Sequence, residues 1–123
     1  MSLRFILSTY LITGANRGIG LELVRQLKNR GENVIATCRS SSSELNSLAV
    51  RVETGIDITS GDSVIKLREN LIGTKVDVLI QNAGIAEFNS LAHLDPQSIV
   101  HQFEVNALSP LCFVQSMLSH LSQ

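Results

Sequence analysis

Aromatic residues are scarce in this chain: no tryptophan, one tyrosine and four phenylalanines, 4% of the total. An excess of basic residues is absent as well, because ten Lys and Arg stand against eleven Asp and Glu, a formal net charge of -1. Neither nucleic acid nor an anionic membrane is therefore expected as a partner. Cysteine is nearly absent: Cys38 and Cys112 are far apart and share no ligand spacing. That excludes a disulfide framework and fits a reducing compartment, so the expected location is the cytoplasm. His93, His101 and His120 show no metal-ligand spacing with carboxylates or cysteines, so no metal site is expected. No apolar run approaches the roughly 20 residues that a membrane span needs.

What is present is an apolar content of 44% in 123 residues, the size of one domain with a real core. The periodicity alternates. Tyr10 to Thr13 is a short apolar run read as a buried strand. Ile19, Leu23, Val24 and Leu27 recur at helical spacing between Gly18 and Arg30, and Gly31 supplies the stop. A second strand is expected over Asn33 to Thr37, a polar loop over Ser40 to Ser43, and one or two helical turns over Glu44 to Ala49. A third strand begins at Val50 and ends near Ile56-Asp57-Ile58. A helix capped by Thr59, with Val64, Leu67 and Leu71 as its stripe, follows. Val76 to Ile80 reads as a fourth strand, and Asp95-Pro96 opens a helix that runs toward Leu121. Strands separated by helical crossovers imply βαβ units and a parallel sheet.

Thr13-Gly14-Ala15-Asn16-Arg17-Gly18-Ile19-Gly20 lies between the first strand and the first helix. Gly14 lets the chain turn sharply. Gly18 and Gly20 remove the Cβ atoms that would hold a phosphate from the backbone, or the helix from the sheet. The helix N-terminus then offers free N–H groups to a pyrophosphate. A tight strand-to-helix turn in any α/β protein is the competing reading. The spacing is G-x-x-x-G-x-G rather than the common G-x-G-x-x-G.

With Thr13 before it, this turn resembles the cofactor-binding turn of the short-chain dehydrogenase/reductase family. Asp57 stands where the family places an Asp near the adenine ring. Asn82-Ala83-Gly84 matches most of the family's Asn-Asn-Ala-Gly run, with Gln81 in place of the first Asn. Asn106 stands where the family carries an active-site Asn. The glycine-turn segment is most similar to carbonyl-reductase-like members. The resemblance implies a Rossmann-type doubly wound α/β fold, here its first four strands only. It also implies hydride transfer between a nicotinamide and a small-molecule carbonyl or alcohol. Residues 1–8 are then an N-terminal extension or tag remnant, or a lengthened first strand. Residues 9–123 are a truncated NAD(P)-binding domain. Gly14, Arg17, Gly18, Ile19, Gly20, Arg39, Asp57, Asn82, Ala83 and Gly84 are expected to hold the cofactor, and Asn106 is the one expected catalytic residue.

The end of the second strand separates the two nicotinamide cofactors. A carboxylate there would accept from a ribose 2′-OH and repel a 2′-phosphate. Cys38 occupies that place, Arg39 follows it, and Arg17 lies in the glycine turn. Arginine grips phosphate in bidentate fashion, so NADP is expected over NAD. Two solvated surface arginines are the alternative.

The last helix is apolar nearly all round. Val100, Phe103, Ala107, Leu111, Val114, Leu118 and Leu121 form one stripe, which Val105, Leu108, Cys112 and Met117 extend. Burial on several sides is expected, with Cys112 in the core. In the family this helix helps form a subunit interface, which implies a homo-oligomer. Pro110 cannot donate to the carbonyl of Asn106, so a kink near Asn106 is expected, with that carbonyl free. In the family the corresponding carbonyl contacts a water of the proton relay. The family's catalytic Ser and Tyr-x-x-x-Lys have no counterpart in these residues, since the one tyrosine, Tyr10, lies in the first strand. The family sheet continues beyond a fourth strand, so that strand would be an open apolar edge. Association or aggregation of the chain alone is expected. A binding module that holds NADP without turnover, and a product without activity, are the alternatives to an oxidoreductase.

Overall fold

The computed structural model describes residues 7–121. The expected N-terminal extension falls mostly outside the described residues. Its last residue, Ser8, is tied down: its N–H donates to Glu32 (2.9 Å) and its carbonyl accepts from Asn33 (3.0 Å).

Strand β1 (Thr9–Ile12) leads through the glycine turn into helix α1 (Gly18–Asn29). Then come β2 (Asn33–Thr37), α2 (Ser43–Ser47), β3 (Arg51–Glu53), α3 (Gly61–Asn70) and β4 (Val78–Ile80). A long helix closes the order in three parts: α4 (Pro96–Phe103), a π-helical turn (Glu104–Leu108) and α5 (Ser109–Met117). All pairings are parallel and the four-stranded sheet has the order β3-β2-β1-β4.

Alternation along the strands divides the core between the two faces of the sheet. Leu11 and Ile35 point to one face, where Leu67 and Leu71 of the α3 segment and Phe113 and Met117 of α5 pack on them. Ile12, Val34 and Ala36 point to the other, against Val24 and Leu27 of α1 and Leu45 of α2. Gly31 ends α1 as expected, at a φ of +83°, with its N–H donated to Lys28 and that of Glu32 to Leu27. Ser42 caps α2, its hydroxyl accepting from Leu45 N–H at 3.1 Å.

Several expectations are corrected. Thr59 does not cap α3. Ser60 does, accepting from Ser63 N–H, because the Thr59 hydroxyl is engaged by Asp57. β3 stops at Glu53, since Gly55 turns the chain at a φ of +71° before Ile56. β4 begins at Val78 rather than Val76. Val76 pairs in parallel with Leu121 instead, its N–H donated to the His120 carbonyl at 2.7 Å.

The last helix is turned from its expected phase. Val105, Ser109, Phe113 and Met117 face the core, spaced four apart. Of the expected stripe, Leu121 packs against the core and the extending Val105 and Met117 are buried, but Val100, Phe103, Leu111 and Leu118 are all more than half exposed, and Cys112 is exposed rather than core. The helix has apolar residues on every side, so composition could not select the buried one. The kink at Pro110 takes the form of the π turn, in which Ser109 N–H donates five residues back, to Glu104. Among the described residues no helix is long and apolar enough to cross a membrane.

Candidate functional site

A cleft of about 760 Å³ opens at the C-terminal ends of the four strands. A groove of about 820 Å³ lies at the opposite end of the sheet, between the ends of α3 and α5. The polar residues singled out in the sequence converge on the first.

The glycine turn is bolted to the end of β4. The buried Thr13 hydroxyl accepts from Asn82 N–H and Ala83 N–H, each at 3.1 Å. The Asn82 side chain donates back to the Gly14 carbonyl at 3.1 Å. Gly14 sits at a φ of +63°, and a Cβ there would stand 2.9 Å from Ala83 Cα. A Cβ on Gly20 would collide with the Gly14 carbonyl, so this glycine lets the helix close on the turn. Gly18 differs: at a φ of +56°, its missing Cβ would meet open space within the cleft wall. Ile19 belongs to the helical stripe by spacing, yet it is 75% exposed and lines the cleft.

The N-terminus of α1 has no side-chain cap and no acid in its first turn. Its orphan N–H groups and positive dipole end therefore face the cleft uncompensated. Arg17 and Arg39 line the same cleft, and neither guanidinium is in an ion pair among the described residues. Between them lies Cys38, 3% exposed, whose thiol burial pushes up and so keeps neutral. This donor set fits an anionic dinucleotide: free N–H groups for a pyrophosphate, two cations, and glycines where a Cβ would intrude.

Asp57 lines the wall beyond β3. Its Oδ1 accepts from the Thr59 hydroxyl (2.7 Å) and Thr59 N–H (2.9 Å). The Thr59 hydroxyl and N–H, with smaller help from Arg39 and His101, hold the carboxyl below its ordinary value against the opposing effect of burial. Asp57 N–H donates to Ser63 Oγ at 2.7 Å, which fixes the loop to α3.

Asn106 meets the strand end differently. Its Oδ1 accepts from Ile85 N–H at 2.9 Å and its Nδ2 donates to the Ile85 carbonyl at 2.8 Å. Gln102, one turn earlier, grips Glu87 in the same two-point manner, at 3.1 and 2.8 Å. Two amides four apart on a helix thus hold alternate residues of the extended segment after Gly84. The Asn106 side chain is fully engaged as a clamp, and its backbone carbonyl is denied the N–H that Pro110 lacks.

The structure therefore brings together all ten expected cofactor residues except Gly20, which stands behind the turn rather than on the cleft wall. Reading the sequence missed Thr13 as a latch, Thr59 as the partner of Asp57, Gln102 as a clamp, and His101, which faces the cleft from α4. Only Gln102 carried a signal, being the same residue class as Asn106 one turn away.

Comparison with known proteins agrees with this arrangement. The profile of the short chain dehydrogenase family matches residues 8–123. The 1-hydroxy-2-glutathionyl-2-methyl-3-butene dehydrogenase of Rhodococcus sp. (strain AD45) is 36% identical over 119 residues, covering 95% of this chain and 53% of that protein. A short-chain dehydrogenase/reductase of Burkholderia multivorans solved with bound NADP superposes with a TM-score of 0.86 at 28% identity, over 95% of this chain and 55% of that one. An NADPH-bound carbonyl reductase from chicken fatty liver gives a TM-score of 0.79 at 28% identity, over 93% and 48%. The chain spans about half the length of these relatives. With a family match over nearly all its residues and a parallel sheet whose glycine turn latches onto the Asn82-Ala83-Gly84 strand end, the chain belongs to the short-chain dehydrogenase family.

Proposed function

We propose that this chain is the NADP-holding part of an oxidoreductase that moves hydride between the nicotinamide and a carbonyl or alcohol. The observation that carries this reading is the pairing of an uncapped, acid-free helix start with two unpaired arginines on one cleft. When bound, the dinucleotide supplies or accepts the hydride. Gly18 lets the backbone approach its pyrophosphate, Gly14 and Gly20 let the turn close against the β4 end and the helix, and Arg17 and Arg39 hold the 2′-phosphate. Cys38 leaves that phosphate unrepelled where a carboxylate would favour NAD. Asp57 accepts from the adenine, while Asn82, Ala83 and Gly84 form the floor beneath the nicotinamide half. Asn106 is a positioning residue that fixes Ile85 and presents its own carbonyl for a proton-relay water. Residues 9–123 make up this domain. Two unpaired cysteines suit the cytoplasm.

Titration of NADPH and NADH against the wild-type chain and Arg39→Asp tests the cofactor assignment. NADPH affinity should fall about tenfold to a hundredfold, and NADH affinity far less. Equal losses for both would overturn the NADP assignment.

A second proposal rests on the outward face of the last helix. Val100, Phe103, Leu111 and Leu118 are 59–67% exposed along one stripe, and a contiguous exposed apolar face marks an interaction surface. A second copy of the protein covers this face. Sedimentation velocity should show a dimer or larger species that Leu111→Glu dissociates; unchanged assembly in the variant would overturn it.

A further inference from the structure

The two arginines of the cleft stand on different segments. Arg17 belongs to the glycine turn, and Arg39 to the loop that follows β2. These segments are tied at two levels. At the strand end the Ala15 N–H donates to the Thr37 carbonyl at 3.1 Å. Farther out, the Ser42 hydroxyl donates to the Asn16 carbonyl at 2.6 Å, across 26 positions of sequence. The same oxygen accepts from Leu45 N–H at 3.1 Å as the cap of α2. A serine hydroxyl can do both at once, because it has a proton to give and lone pairs to accept with. Ser41 and Ser43 beside it bond within their own segment, to Asn46 and Glu44. Ser42 does not line the cleft, whereas Asn16, Arg17 and Arg39 do.

The outer tie acts on the peptide between Asn16 and Arg17. A peptide unit is planar, so fixing the Asn16 carbonyl fixes the plane from which Arg17 departs. Arg17 is also the residue from which α1 begins, and that helix start has no side-chain cap of its own. Ser42 supplies, from the next crossover, the side-chain anchor that this start lacks. We propose that Ser42 is a positioning residue for the 2′-phosphate: its hydroxyl holds the Arg17 segment against the Arg39 segment, so that both guanidiniums meet one phosphate. This rests on the NADP reading above.

Fluorescence titration of NADPH and NADH against the wild-type chain, Ser42→Ala, Ser42→Gly and Ser42→Thr tests this. Ser42→Ala removes cap and tie together. Glycine caps a helix nearly as well as serine but has no hydroxyl, and threonine keeps both bonds. In Ser42→Ala and Ser42→Gly the Kd for NADPH should rise about fivefold, the weight of one hydrogen bond, and that for NADH by less than about twofold. Ser42→Thr should restore the wild-type values. In the chain without ligand, the carbonyl carbon resonance of Asn16 should move in both hydroxyl-free variants and return in Ser42→Thr. In a chain that binds NADPH, equal rises for the two cofactors, no rise, or a rise that Ser42→Thr does not reverse overturns the proposal alone. An unmoved Asn16 carbonyl does the same. Absence of NADPH binding by the wild-type chain overturns the NADP reading, and the proposal with it.

Discussion

The glycine turn and the last helix are built on opposite terms. In the turn, side chains and backbone are bound to the neighbouring strand end. Thr13 latches two N–H groups of the β4 end, Asn82 returns a bond to Gly14, and Gly14 and Gly20 sit where a Cβ would strike the neighbouring backbone. In the last helix the first half buries no residue at all, and the second is held to the sheet face by Ser109, Phe113 and Met117. Tight backbone geometry leaves a turn few alternatives. An amphipathic phase is chosen only by packing, and this helix offers apolar surface on every side. Close backbone packing at the cleft, and apolar surface on the outside, divide the chain into a fixed cleft wall and an exposed apolar face.

The sharpest break of that contrast is made within the helix itself. Phe113→Ala, in the core beneath the sheet, should cost about 4 kcal/mol in urea unfolding, while Gln115→Ala, two residues away and exposed, should stay within about 0.5 kcal/mol. Similar losses at both would mean that the assigned phase is wrong. On the turn, Gly20→Ala should cost about 2–3 kcal/mol, because the new methyl meets a backbone carbonyl rather than a movable side chain. Thr13→Val keeps the shape but strands two N–H groups, and about 1–3 kcal/mol should be lost, with dinucleotide binding weakened as the β4 end loosens.

The smallest effect is at Asp57. Its folded carboxyl sits below the ordinary value of about 3.9, so the unfolded chain binds the proton more readily. Stability from this group is present above that ordinary value and is lost as pH falls through the folded one. Asp57→Asn should flatten the acid limb of a melting-temperature profile by lowering the neutral plateau slightly, while the acid end stays nearly unchanged.

How much was readable from sequence follows the same division. The β1–turn–α1 unit, β2 and the Asn82-Ala83-Gly84 strand end were placed within a residue or two, because glycine, threonine and asparagine each have a short-range backbone task there. Thr59 was misplaced for a local reason. Thr59 and Ser60 are both competent caps, and the choice was made by Asp57, which claims the Thr59 hydroxyl. His101 carries no metal-ligand spacing to single it out, and which face of α4 meets the cleft depends on how the helix lies against a loop that Gln102 and Asn106 hold by their side-chain amides. Pro110 placed the bend near Asn106, inside the observed Glu104–Leu108 turn, but the missing N–H alone does not specify its π form.

The central claim is that a dinucleotide lies across the cleft at the strand C-termini. Amide chemical-shift mapping of the isotope-labelled chain with NADPH tests it most directly. The account predicts shifts concentrated at Gly14 to Gly20, Arg39, Asp57 and Asn82 to Gly84, and little change near Ile72, Lys75 and Leu118 in the larger groove. Shifts confined to that groove, or none at saturating NADPH, would contradict it.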